Sequence, residues 1–301
     1  MGLMRLIRTD VLEIAYEEEG SSNSSPVLLL HGWPDAPCGW DAIAPVLHGH
    51  GWRTIVPFLR GTGRTRFLSA EIPRVGSGVA LAQDAVDFAD AIGLDRFAVV
   101  GHDWGARVAY TLAALFPERV TSISGLALAF QPHGRFVMPA FGQARRFWYQ
   151  WLMCVEGGAA KIAADPVGFA RLQWETWSPA GWFGEAEFAT TAQSFLNPDW
   201  PAITLNAYRS RWLKGETSDS RYDALQTKLS KIGVLSVPTL MIQGGSDFCD
   251  DPGESEGLER HFTGGYERLL LDGVGHFPHR EASADVSAAI LRHLGRSYGR
   301  R

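Results

Sequence analysis

The segment Phe97-Ala98-Val99-Val100-Gly101-His102-Asp103-Trp104-Gly105 constrains this chain more than any other. Its continuous apolar run reads as a strand buried on both faces, as in a parallel sheet. The run ends at Gly101, and a helical pattern begins near Gly105. A residue between two such glycines sits on a tight strand-to-helix turn, with its side chain pushed out past the sheet. The glycines relieve crowding where the turn meets strand and helix. Ligands of open α/β sheets bind at this end of the strands. The residue placed there is Asp103. Two readings stand for it: a carboxylate presented to a ligand, or a cap for the following helix.

The rest of the chain repeats the alternation. Further strands are expected at 11–17, 27–30, 54–57, 122–128, 239–243 and 268–271, and helices at 79–92, 107–116 and 282–294. Alternating strands and helices predict an α/β fold with a mostly parallel central sheet flanked by helices. The pattern breaks between about 130 and 232. Helical fragments, Pro and Trp take over there, and seven of the 11 tryptophans lie between Trp148 and Trp212. We expect 1–129 and 233–301 to form the core and 130–232 a helical cap inserted in it. Most cap aromatics would simply pack the cap on the core.

Bulk properties narrow the function classes. A net charge of −5 offers no broad basic surface for nucleic acid. The basic run at 296–301 reads as a solvated tail. No stretch of about 20 apolar residues suggests a membrane span, and the first residues lack the apolar core of a signal peptide. Three scattered cysteines, Cys38, Cys154 and Cys249, give neither a disulfide framework nor metal-ligand spacing. We expect a cytoplasmic protein, monomer or homodimer, with no metal and no organic cofactor.

Two further regions bear on Asp103. His31-Gly32-Trp33-Pro34 follows the strand at 27–30, where a loop can aim a backbone N–H at the same site. With the N–H after Asp103, the donors of an oxyanion hole would be Trp33 and Trp104; the alternative is a generic turn. Asp247 follows the strand at 239–243, and His276, flanked by glycine, follows the last strand. Asp250 and Asp251 rival Asp247 for the acid role, and His279 is a weaker rival to His276. The chain order is elbow, acid, histidine, as in α/β-hydrolases.

On these motifs the chain resembles an α/β-hydrolase of the epoxide hydrolase branch, from about residue 11 to 294. Serine esterases of that fold need Gly-X-Ser-X-Gly, which this chain lacks. The branch shares its aspartate nucleophile with haloalkane dehalogenases; the two differ in how the leaving atom is helped away. An opening epoxide needs a proton donor, and a halide needs only weak donors such as indole N–H. Tyr149-Gln150 and Tyr208-Arg209 resemble the two cap tyrosine motifs of epoxide hydrolases. The resemblance implies that both phenols hydrogen-bond the epoxide oxygen, a task suited to an uncharged acid. The alternative for each is a packed aromatic. The resemblance also implies that Gln150, Trp104, Trp148, His31 and Pro34 line the substrate pocket.

The implied reaction takes a small, apolar or aromatic epoxide to a diol, with a haloalkane- or haloacid-type dehalogenase as the alternative. A non-catalytic binding protein of the same fold is the remaining reading. Trp33 after His-Gly and Tyr149-Gln150 in the cap favour the epoxide. Departures exist as well. Phe58 stands where relatives carry Asp before Leu-Arg-Gly, and Arg107 stands where many are apolar. Arg107 is either a surface or ion-pair residue or a contact for an anionic substrate.

Overall fold

Alternate residues of the strand Pro26–Leu30 (β3) enter two different cores: Val27 and Leu29 join one, Leu28 and Leu30 the other. The strand Phe97–His102 (β6) divides in the same way, with Val99 on one side and Ala98 and Val100 on the other. That alternation puts helices on both faces of the sheet. The structure is a computed structural model that describes residues 3–298.

The strands in chain order are β1 (Arg5–Arg8), β2 (Leu12–Glu19), β3, β4 (Arg53–Pro57), β5 (Arg66–Phe67), β6, β7 (Val120–Leu126), β8 (Thr239–Gly244) and β9 (Tyr266–Leu271). They form one sheet in the order β1-β2-β4-β3-β6-β7-β8-β9, with β5 paired to β2. From β4 to β9 all neighbours are parallel, while β2 pairs antiparallel with β1, β4 and β5. The sheet is thus mostly parallel. The sequence pattern did not reveal β1 and β5, which are short and carry little buried apolar surface.

Helices α1 (Ala44–Gly49), α2 (Gly78–Ala91) and α3 (Trp104–Leu115) lie between the early strands. Helix α3 starts three residues before the expected 107, immediately after Asp103. Seven helices run between β7 and β8: α4 (Phe141–Arg146), α5 (Trp148–Cys154), α6 (Glu156–Ala164), α7 (Pro166–Thr176), α8 (Glu185–Ala192), α9 (Trp200–Trp212) and α10 (Asp223–Leu229). The chain closes with α11 (Pro278–Glu281) and α12 (Ser283–Tyr298). The buried tryptophans of this helical segment, Trp174, Trp177 and Trp200, join the same core as α2 and α3.

A polar clamp also joins the segment to the sheet. Arg60 is fully buried and donates to both oxygens of Asp84 at 2.6 Å, to Val75 O at 2.7 Å and to the Tyr222 hydroxyl at 2.9 Å. No helix among the described residues is long and apolar enough to cross a membrane. The basic run at 296–301 lies partly outside the described residues; within them Arg296 pairs with Glu267 at 2.6 Å.

Candidate active site

Asp103 occupies the turn between β6 and α3 at φ 49°, ψ −109°. A side chain rarely holds positive φ, and doing so costs on the order of 1–3 kcal/mol. The flanking glycines make the turn possible. A Cβ on Gly101 would strike the carbonyl of Gly105, and one on Gly105 would strike the carbonyl of Leu30. The capping reading of Asp103 fails, because its side chain makes no capping bond to α3. Its Oδ1 instead accepts the N–H of Trp33 at 2.8 Å. Burial works to raise the Asp103 pKa, but His276, His102 and the Trp33 N–H outweigh it and hold the carboxyl below its ordinary value. It is therefore ionised at neutral pH.

His276 sits beyond β9, with Nε2 3.7 Å from Asp103 Oδ2 and Nδ1 2.9 Å from Asp247 Oδ2. Asp247 is fixed by the N–H groups of Cys249 and Asp250 at 2.8 and 3.0 Å and by Gln243 Nε2 at 3.2 Å. Burial would depress His276, yet Asp247 and Asp103 raise it well above the ordinary histidine value. The three side chains therefore meet at the carboxyl ends of β6, β8 and β9, an arrangement in which one carboxylate could attack a ligand while a second orients the imidazole.

Of the rivals, Asp250 stays nearby, with a carboxylate oxygen within 4.8 Å of a His276 ring nitrogen and its carboxyl pushed up to about 7 by burial and Asp247, but it is Asp247 that hydrogen-bonds Nδ1. Asp251 turns back to accept the N–H of Gly253. His279 donates to Asp35 at 2.9 Å.

The two tyrosines come together over this centre, with ring centroids 5.4 Å apart, both buried. Each hydroxyl oxygen already accepts a bond: Gln150 Nε2 donates to Tyr149 at 3.0 Å, and Trp104 Nε1 donates to Tyr208 at 3.1 Å. Gln150 is fixed in turn by Trp212 Nε1, 3.0 Å from its Oε1. Burial raises both phenols well above the ordinary tyrosine value, so both stay protonated. The Trp33 indole lies at the middle of this roof, within 6.2 Å of the Trp104, Tyr149, Trp177 and Tyr208 ring centroids.

The remaining expected pocket residues differ in how they sit. Trp148 is at the edge, 36% exposed, against Phe169. The Pro34 carbonyl accepts from Trp174 Nε1 at 2.8 Å. The His31 ring serves its own loop: Nε2 accepts the N–H of Leu59 at 3.1 Å and Nδ1 donates to Gly32 O at 2.9 Å. Burial lowers His31 to about 4, so it is neutral.

Several groups at the site escaped the sequence reading. Ser178 accepts the His276 N–H at 2.9 Å and donates to Glu281 at 2.7 Å. Glu281 also accepts the N–H groups of Gly275 and Phe277, fixing the loop that carries His276. His102 Nε2 donates to the His276 carbonyl at 2.8 Å. Trp177 packs edge-on against His276 at 4.9 Å, with its buried indole N–H lacking a partner.

A family model described as the alpha/beta hydrolase fold matches residues 25–283. The chain belongs to the α/β-hydrolase fold family. It is 35% identical over 315 residues to Epoxide hydrolase 2 of Siraitia grosvenorii, covering 90% of this chain and 92% of that one. It is 26% identical to Epoxide hydrolase A of Mycobacterium tuberculosis, covering 96% of each. A crystal structure from Klebsiella pneumoniae, of a protein provisionally named an epoxide hydrolase, superposes with a TM-score of 0.90 at 35% identity over 96% of each chain. Fold and relatives make this α/β-hydrolase an enzyme, a hydrolase resembling epoxide hydrolases.

Proposed function

We propose that this hydrolase opens epoxides through an ester on Asp103. One observation carries the reading: the two phenols. Because Gln150 and Trp104 already donate to their oxygens, each phenol directs its own proton away from them; in the resting site Tyr149 has only the weak acceptor Cys249 Sγ, at 3.7 Å, to give up for a substrate oxygen. Two converging O–H donors beside an ionised carboxylate suit a reaction in which an oxygen leaves carbon and gains negative charge.

Asp103 attacks an epoxide carbon, forming a C–O ester bond as the ring C–O bond breaks. Tyr149 and Tyr208 hydrogen-bond the departing oxygen, and one of them transfers its proton to it. Esterification removes the charge on Asp103, and His276 loses one of the two carboxylates that raise it. His276 gives its proton back to the tyrosinate and becomes a neutral base, oriented by Asp247. It then takes a proton from water, which adds to the ester carbonyl of Asp103. The N–H groups of Trp33 and Trp104 stabilise the resulting oxyanion. The diol leaves with the proton from His276, and the balance is one epoxide and one water to one diol. In this reading 130–232 is the cap, and the aromatic roof selects a small apolar or aromatic epoxide.

The dehalogenase reading retains one supporting observation, the unpartnered indole N–H of Trp177 beside Tyr149. A trap separates the two. His276→Gln is incubated with styrene oxide or with a haloalkane, and the intact protein is weighed. The epoxide reading expects Asp103 to gain the whole mass of styrene oxide. An adduct from the haloalkane and none from any epoxide overturns it.

A further inference from the structure

A cavity of about 320 Å³ opens where α2, α3 and α9 meet, and two guanidiniums face it, Arg107 from α3 and Arg211 from α9. Both lie on the ring of Phe136, Arg107 at 4.6 Å and Arg211 at 4.2 Å from its centroid. Neither has a carboxylate partner among the described residues, and no Asp or Glu lines the cavity. Arg211 donates to Ala207 O at 3.0 Å and, at 3.5 Å, to Gln150 Oε1. The Nε of Arg107 is buried with no hydrogen-bond partner. Burial, then the neighbouring Arg107, pushes Arg211 down to about 10, which still leaves it charged at neutral pH. The two half-buried guanidiniums have no ion-pair partner, only the Asp103 carboxylate at longer range, and the unpaired buried Nε is costly, so native chains rarely keep such a donor without a partner.

The cavity has a third source of positive potential. Ser77, Gly78 and Val79, at the N-terminus of the 14-residue α2, line it. The first N–H groups of a helix lack intrahelical partners and favour an anion. A Cβ on Gly78 would lie 3.1 Å from Arg107 Cδ, so glycine there lets the helix end close on the guanidinium. The loop before α2 is tied to α9, since Gly76 N–H donates to Asn206 Oδ1 at 2.7 Å. Leu128, Leu229 and Phe136 supply apolar wall. A planar anion on an apolar stem fits this lining better than a fully hydrated phosphate.

We propose that this cavity is a carboxylate-binding site in which Arg107 and Arg211 grip the anion at the N-terminus of α2. Arg211 also covers the ring of Tyr208 at 4.2 Å, so the site adjoins one of the two phenols proposed to act on the epoxide. The carboxylate has two possible sources, the far end of an epoxide substrate or a separate small acid. Only the substrate source rests on the proposed function.

The first measurement needs no turnover. Wild-type protein is melted in sodium butyrate and in sodium chloride at equal ionic strength. We expect a saturable rise of the melting temperature with butyrate that is absent in Arg107→Met. The second compares kcat/KM for a series of terminal epoxy acids with that for their methyl esters. A substrate source gives the acids an advantage of about tenfold or more, falling to near parity in Arg107→Met while turnover of neutral epoxides is unchanged. Arg107→Lys keeps the charge but not the fork and should retain a reduced preference, which guards against a misfolded Met variant. A butyrate shift without acid preference supports the site with a free carboxylate as its ligand. A butyrate shift in a protein that turns over no epoxide leaves the site standing and removes the epoxide reading. No shift and no acid preference overturn the site.

Discussion

Removing the hydroxyls of Tyr149 and Tyr208 tests the proposed chemistry most directly. A positioned general acid contributes about 10²–10⁴ in rate. The two phenols lie 5.4 Å apart between centroids and are proposed to serve one oxygen, each through its own hydrogen bond. Tyr208→Phe alone should slow alkylation of Asp103 about a hundredfold, roughly 2.7 kcal/mol. Both changes together should approach ten-thousandfold, about twice that energy. Stability responds separately. Tyr208→Phe leaves Trp104 Nε1–H without the acceptor it holds at 3.1 Å, a loss of about 1–3 kcal/mol for a buried donor. The Gln150 amide loses the Tyr149 oxygen in the same way. The assay is single-turnover stopped flow on indole fluorescence, since Trp33 and Trp104 border the reacting carboxylate. Alkylation should slow while hydrolysis of a preformed ester keeps its rate, because the phenols are proposed to act only on the epoxide oxygen. A folded double variant that alkylates at the wild-type rate refutes the assignment.

Other outcomes follow from the same geometry. Asp247→Asn should let the ester form and then persist, with turnover down by about 10⁴, the cost known for this change in serine-protease triads, measured as the burst-to-steady-state ratio. Asp84→Ala should destabilise the protein by roughly 3–5 kcal/mol in urea unfolding, because it strands the buried Arg60 cation. The raised His276 contributes stability that is full below the ordinary histidine value of about 6.5 and is lost as pH rises through its higher folded value. The lowered Asp103 contributes stability present above about 3.9 and lost as pH falls through its depressed value. Denaturation midpoints measured against pH should therefore decline on the alkaline side in wild type and decline less in His276→Gln.

The elbow was legible because its constraint is local. An apolar run, two glycines and one polar residue define the turn, and Gly101 and Gly105 are required by contacts within six residues or with β3. Asp247 and His276 were legible because chain order follows strand order from β6 to β9. What escaped depends on partners far away in sequence. Ser178 reaches His276 across 98 residues, and Asp35 meets Arg280 across 245; no periodicity marks either pair. The edge strands β1 and β5 bury too little to leave a pattern. Helix α3 begins before its apolar repeat because the turn geometry at Asp103, not hydrophobic spacing, sets its first residue. Arg107 stood out as a charge in an apolar helix, but its pairing with Arg211 on Phe136 required the fold.

The choice of aspartate at the elbow connects these observations. Asp103 is already ionised, so the proposed attack would need no base, and attack at an sp³ carbon would yield an ester that water can cleave. A serine at the same turn would yield an ether, which the oxyanion donors could not help to open. The charge on Asp103 also governs its partner. In the resting site it helps hold a proton on His276 across 3.7 Å, where the imidazolium in turn keeps the carboxylate ionised. In the proposed reaction ester formation would consume that charge and so convert the histidine from partner ion to base. The 2.9 Å contact with Asp247 survives this change and keeps the ring oriented. On the proposed mechanism one carboxylate is consumed and one is kept, which would account for two acids meeting one histidine.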